Sequence, residues 1–450
     1  MQASGPTGVE KLRYVLRLRG AGTLDALFAL WQAYGDTARI ALPFLPPLYA
    51  VNDPADVMVV LRKQADRFVK GRALRLFNEL IGDGVVTAEG ERWRDHRRAV
   101  QPYFAKESLA SYGPAVCRVV AEHRSRWLRL AEGFDDFNPL LRDLAQDVIA
   151  RALLGAQPCR ELSEVQQAWA RGMAVVVRRS NAVLRLPRWL TWRSHRRYRR
   201  ARHELRSAVD RLIRRHLAPG RGPEPGTVLA HSLAEYRDGR LGEYEIRNRV
   251  LNLLFAGHET LAGGLASALF LILAHPPVRD RVLAELRNVL RDEPPEYGLL
   301  RRQPYFRQTI LETFRLYPPV PIFVREATGP VELSAGTLPR GAIVLLSPYI
   351  MHRHPELWKD PEQFDPDRFA MPGLLAPPRF FAFGAGGRTC LGNEFAVNHI
   401  MLILGDLLQR LHIELDQSAA AGLAFDGILR PAPIKLRVRA AAESAMAMQL

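Results

Sequence analysis

The sequence predicts a mainly α-helical chain with small β-sheets. Apolar residues recur at helical spacing in many segments, and runs that alternate like strands are few and short. One stretch, from Tyr244 to Ala274, is long, apolar and free of proline, as expected of a buried helix crossing the whole molecule.

At 450 residues the chain can bury a sizeable core, and length alone does not choose between one large domain and several smaller ones. Hydrophobic content of 48% and charged content of 24% exclude a mostly disordered chain. Three cysteines, Cys117, Cys159 and Cys390, are too few for a disulfide framework and fit a reducing cytoplasm. Cys117 and Cys159 read as inert core thiols. The N-terminus, MQASGPTGVEKLRYVLRLRG, has no long apolar run, so neither a signal peptide nor a transmembrane anchor is expected. The net charge of +16 raises the question of nucleic acid. Arginine makes up most of the excess, thickest between Arg178 and Arg215, and no nucleic-acid motif accompanies it. No nucleic-acid partner is expected.

Taken in order, helical spacing from Leu24 to Tyr34 stops before Gly35, and ARIALPFLPPLYAVNDP then reads as a small hairpin with turns at Pro43 and Asn52. Helical spacing resumes from Asp53 to Lys63. Phe68 to Glu91 reads as a loop-rich stretch punctuated by Gly71, Gly82, Gly84 and Gly90. ERWRDHRRAVQPYF opens a helix on which Trp93 and Arg97, four apart, share a side while Arg94 and Arg98 face another way. Helices follow from Asp135 to Leu154 and from Leu162 to Val177. Pro187 breaks the chain before an apolar tip of Trp189, Leu190 and Trp192. PGRGPEPG, residues 219–226, is a flexible linker.

The central stretch carries Ala256, Gly257, His258, Glu259 and Thr260. Gly257 is a poor helix former, and Glu259 is costly to bury without a partner, so this is an unusual core helix. A helix from His275 to Val289 is followed by QTILETFRLYPPVP, which sets Glu312 and Arg315 three apart on one helical face. Strands, turns and a short helix are expected through VELSAGTLPRGAIVLLSPYIMHRHPELW, and two short strands, HIEL and IKLRVR, near the end.

The most telling segment is FAFGAGGRTCLGNEFA, from Phe381 to Ala396. Its glycines allow a tight loop of backbone N–H groups, and the apolar positions after Gly392 place Cys390 at the start of a long buried helix. Both favour a thiolate, so Cys390 reads as a metal ligand. Arg388 suits a carboxylate.

Phe383, Gly386, Arg388, Cys390 and Gly392 fit F-x-x-G-x-R-x-C-x-G, which resembles the haem-binding signature of the cytochromes P450. Three further signatures stand in that family's order: Trp93 with Arg97, AGHET, and Glu312-x-x-Arg315 with Arg368 in FDPDRF. The resemblance spans roughly Asp53 to Val438.

It implies one P450 domain over residues 1–450, with residues 1–20 poorly ordered and haem b between the central helix and the cysteine helix. Cys390 would bind iron; Trp93, Arg97, Arg325, Phe383, Gly386, Arg388 and Gly392 would hold the cofactor. Ala256, Gly257, Glu259 and Thr260 would form a local opening of the helix where dioxygen binds and protons are handled, with no role for His258. Glu312, Arg315 and Arg368 would form a buried supporting triad. Residues 68–91 would cap an apolar pocket walled by Phe77, Leu80, Ile81, Phe255, Ile322, Phe323 and Val324, the 187–192 tip would be a moving lid, and the turn before Leu429 would touch substrate. The expected activity is monooxygenation of a mostly apolar small molecule, such as a terpenoid, polyketide or fatty acyl group of bacterial secondary metabolism. Its electrons would come from a ferredoxin and ferredoxin reductase docking at Arg94 and Arg98. Peroxygenase, isomerase or dehydratase chemistry is the alternative, and a haem sensor a more distant one.

Overall fold

The computed structural model describes residues 3–18, 22–41, 45–130, 133–157, 159–180, 192–290, 296–300, 302–418 and 422–441. Long helices dominate, and short strands gather into one five-stranded sheet and three smaller ones.

The central helix, Glu243–Ala274, is buried over most of its length. Its composition leaves almost no polar stripe, so neighbours must cover it on every side. Gly264 makes one crossing possible, because a Cβ there would press within 3.0 Å of Ile400 and Phe314. Those residues sit on the cysteine helix, Asn393–Arg410, and on the supporting helix, Pro304–Leu316. The central helix ends at His275, where Pro276 and Pro277 cannot continue its hydrogen bonds. Among the described residues it alone is long and apolar enough to cross a membrane, and 72% of its most apolar window is buried inside the fold.

The main sheet comprises β1 (Thr37–Ile40), β2 (Leu48–Val51), β3 (Phe68–Val69), β4 (Phe323–Ala327) and β5 (Ile343–Leu346), in the spatial order β1-β2-β5-β4-β3. β2 and β5 run parallel, with Leu48 opposite Ile343, and the other pairs are antiparallel. Because β4 must alternate its side chains, Phe323 and Arg325 share one face of the sheet while Ile322 and Val324 take the other.

Several expectations need correction. The 68–91 stretch is not all loop, since Arg75–Ile81 forms a helix ended by Gly82 at φ +76. Asp135 and Asp136 belong to a strand paired with Lys435 and Leu436, so the next helix starts at Asn138. Two helices, Lys106–Trp127 and Val228–Arg237, were not foreseen. The C-terminal region adds a hairpin, Gly422–Phe425 with Leu429–Ala432, to the two strands expected there. Residues 8–17 form a helix, Gly8–Arg17, and Tyr34 donates to its Glu10 at 2.9 Å. The lid tip at 187–191 lies outside the described residues, as does the side chain of Trp192.

Candidate active site

The cysteine loop is built by its glycines. Gly384 and Gly386 hold φ of +75 and +71, which side chains other than hydrogen disfavour. Gly386 also packs on the backbone of residues 61 and 62, where a Cβ would overlap the Leu61 carbonyl. The loop closes when Cys390 N–H donates to the Phe383 carbonyl at 2.9 Å, and Phe383 packs edge-on against Phe314 at 5.2 Å. Thr389 donates to Gly386 through both its amide and its hydroxyl. The helix that follows begins at Asn393, directly after Gly392.

Cys390 has neighbouring residues packed closely around it yet is itself exposed, onto a cleft of about 600 Å³ lined by Arg97, Arg98, Gln101, Phe104 and Leu391. Burial pushes the thiol pKa up, while the Gly392 amide and the Arg97 charge pull it back toward the thiolate. Among the described residues no group of three or more His, Cys, Asp or Glu side chains could hold a metal ion. A metal held by Cys390 would find no such set of further ligands among these residues, and a macrocycle is a group that brings its own.

Positive charge is concentrated beside the loop. Arg97 donates to the Thr389 carbonyl at 2.8 Å, and the guanidinium groups of Arg97 and Arg388 lie 5.7 and 5.2 Å from the Trp93 ring centre. Arg388 forms an ion pair with Glu89, yet its Nη1 is buried with no partner. Arg325 is held near about 10 by burial and by the neighbouring Arg388. Lys70 is pushed down to about 8 by burial, with Arg388 and Arg325 adding repulsion. Lys70, Arg325 and Arg388 are thus three cations facing two carboxylates, Glu89 and Asp83. Such a surplus fits a ligand carrying two carboxylates, as a porphyrin does.

Lys70 and Glu89 were not foreseen. Lys70 is recognisable only in three dimensions, because its ammonium donates to the carbonyls of Val85, Val86 and Ala88, far along the chain. Glu89 left one usable signal: it is an acid immediately before the helix that carries Trp93 and Arg97.

On the central helix Ala256 is exposed and Phe255, Gly257, Glu259 and Thr260 are partly so, in a helix otherwise buried over most of its length, so this stretch adjoins open space. Thr260, one turn on, donates its hydroxyl to the Ala256 carbonyl at 2.6 Å. The expected local opening is not formed: the helix runs unbroken from Glu243 to Ala274. Gly257 instead serves packing, since a Cβ would come within 2.6 Å of Ile149. Glu259 turns to Arg142, 3.5 Å away, and feels the Arg430–Asp426 pair. Its carboxyl pKa is raised by burial and lowered again by Arg142 and Arg430. His258 is buried and held down to about 4 by desolvation, hence neutral.

Phe77 and Phe255 meet at 5.3 Å, and Trp169 lies equally close to Phe255, an aromatic corner suited to an apolar ligand. Leu80 and Ile81 are completely buried, with Leu80 against Gly172, so they belong to the core and not to a pocket wall. Ile322 and Val324 are corrected for another reason: strand alternation sends them into the cluster of Leu27, Leu30 and Ile40. Phe323 remains beside the cysteine loop, near Phe381 and Gly384. The turn before Leu429 sits on the central helix, with Ile428 against Gly263 and Leu429 N–H donating to the Pro319 carbonyl at 3.0 Å.

The supporting triad is assembled. Arg315 donates to both oxygens of Glu312, and Arg368 comes within 3.5 Å of the same carboxylate.

The cytochrome P450 family model matches residues 4–437. The chain is similar to cyclooctat-9-en-7-ol 5-monooxygenase of Streptomyces melanosporofaciens, 30% identical over 86% of this chain and 86% of the relative. It is also 30% identical to pentalenene oxygenase of Streptomyces avermitilis, over 80% of this chain and 81% of that one. Human cytochrome P450 4F2 is 28% identical over 88% and 81% of the two chains. Matched in this way over nearly its whole length, the chain belongs to the cytochrome P450 family and is a haem-dependent monooxygenase.

Proposed function

We propose that the chain is one P450 domain over residues 1–450, acts in the cytoplasm and holds haem b with Cys390 as the iron ligand. Trp93, Arg97, Arg325 and Arg388, with Lys70 added, bind the porphyrin carboxylates. The observation that carries this reading is that the largely buried cations Lys70, Arg325 and Arg388 outnumber the carboxylates Glu89 and Asp83 that they face. Phe383, Gly386 and Gly392 shape the loop under the cofactor.

Haem supplies the oxygen-activating chemistry, with electron density from the thiolate favouring O–O cleavage. The protein positions the substrate, excludes water and moves protons. Thr260 presents its hydroxyl beside Ala256, and Glu259, raised by burial, carries a proton from the Arg142 side of the helix. Phe77, Phe255 and Phe323 offer apolar surface to the substrate. Two relatives are named for oxidising cyclooctat-9-en-7-ol and pentalenene, which favours a terpenoid here.

Electrons come from a ferredoxin served by a ferredoxin reductase. Arg98 lines the cleft that reaches Cys390, and Arg94 is exposed on the same short helix, so an acidic carrier would dock there. The test is turnover of pentalenene with reduced ferredoxin under isotopically labelled dioxygen. One labelled oxygen atom in the product supports the reading, and turnover with peroxide but never with ferredoxin contradicts it.

A further inference from the structure

The segment 82–88 is fastened to the central helix by a buried amide. Asn252, 1% exposed, accepts from Val86 N–H at 3.0 Å. The same side chain donates to Asn248 O at 2.9 Å and lies 3.4 and 3.5 Å from the carbonyls of Ile81 and Gly82. Gly84 leaves it no slack, because a Cβ at 84 would overlap the Asn252 amide.

The far side of the segment is fixed as well. Lys70 gathers the carbonyls of Val85, Val86 and Ala88, and Thr87 closes the turn by donating to Gly82 O at 2.7 Å and accepting from Gly84 N–H at 3.1 Å. Asn252, Ala256 and Thr260 are spaced four apart and share one face of the helix, so the segment crosses that face about 6 Å along the axis from Ala256. A polar side chain on a helix this apolar is retained against a desolvation cost unless its hydrogen bonds are made, and here they are made to this segment.

We propose that Asn252 is a positioning residue: it sets how closely residues 82–88 approach the central helix, and thereby the width of the space in front of Ala256 and Thr260. The proposal rests on the monooxygenase reading, in which that face meets the substrate. The segment then acts as a fixed wall that selects ligands by bulk, and not as a mobile cap.

The holoenzyme tests this without knowledge of the substrate, using imidazole and 4-phenylimidazole as haem ligands read through the Soret band. Asn252→Ala is expected to change the ratio of the two dissociation constants by about tenfold, with imidazole itself little affected and with faster amide exchange in the 82–88 peptide. Gly84→Ala, which keeps Asn252 but pushes the segment outward, should shift the ratio too, and the double variant should recover part of the change because the two side chains compete for one space. A ratio within twofold of wild type in both single variants, whatever happens to melting temperature, would overturn the proposal while leaving the monooxygenase reading intact. If imidazole fails to shift the Soret band of the wild-type protein, both are overturned.

Discussion

Arg315 grips Glu312 at 2.6 and 2.7 Å with both side chains fully buried, and its remaining N–H groups reach the carbonyls of His352, Pro361 and Gln363. One guanidinium therefore ties the supporting helix to the chain that leads into the cysteine loop. Removing either partner strands a buried charge, at a cost of about 3–5 kcal/mol. Arg315→Leu and Glu312→Ala are expected to fail to accumulate as soluble haem-loaded protein, whereas Arg368→Ala, 3.5 Å from Glu312 and closer to the surface, should be milder. The haem-to-protein absorbance ratio of each purified variant checks the order.

Gly386 combines positive φ with contact to the Leu61 carbonyl, so its substitution is doubly penalised. The φ strain alone costs about 1–2 kcal/mol. Gly386→Ala should lose haem while Gly387→Ala, whose Cβ would meet nothing closer than Trp93 at 3.8 Å, keeps it. Pyridine haemochrome measurement on the two proteins decides this.

These two cases show what the sequence makes legible and why. The cysteine loop is a local feature: its glycines answer to backbone geometry within ten residues, and its function follows from spacing. Lys70 and Asn252 are invisible at that range, since each is defined by carbonyls or amides brought in from residues 81–88. The pocket walls failed for a different reason. The resemblance implies that Ile322, Phe323 and Val324 all line the pocket, but strand parity, which depends on the β4–β5 pairing, turns Ile322 and Val324 to the opposite face. Leu80 and Ile81 are implied as wall residues by their place in the capping stretch, but an apolar side chain there suits core and pocket alike, and these two are fully buried.

Lys70 gives haem binding a pH dependence. Its ammonium, held to about 8 in the unloaded protein, faces Arg388, Arg325, Glu89 and Asp83. Binding an anionic carboxylate raises that pKa, so above about pH 8 the protein must take up a proton to bind haem. Affinity is expected to fall about tenfold per pH unit there and to level off below. Haem transfer to an excess of a competing apoprotein measures the slope, and Lys70→Met should bind more weakly with that slope removed.

Thr260→Ala should retain haem yet release hydrogen peroxide in place of product, because the hydroxyl at Ala256 no longer guides the proton. Glu259→Gln is expected to slow turnover by about a hundredfold. Burial raises the Glu259 pKa, so its proton-bearing form persists to higher pH, and wild-type activity should decline as pH rises through that pKa. The decline should be missing in the glutamine variant, as judged from kcat against pH with peroxide counted separately.

The central claim is that the Cys390 sulfur is the iron ligand, and the spectrum of the reduced carbonyl complex tests it most directly. Wild-type protein should show the red-shifted Soret band of a thiolate-ligated haem, and Cys390→Ser should lose it. A serine variant that keeps the wild-type band would contradict the account.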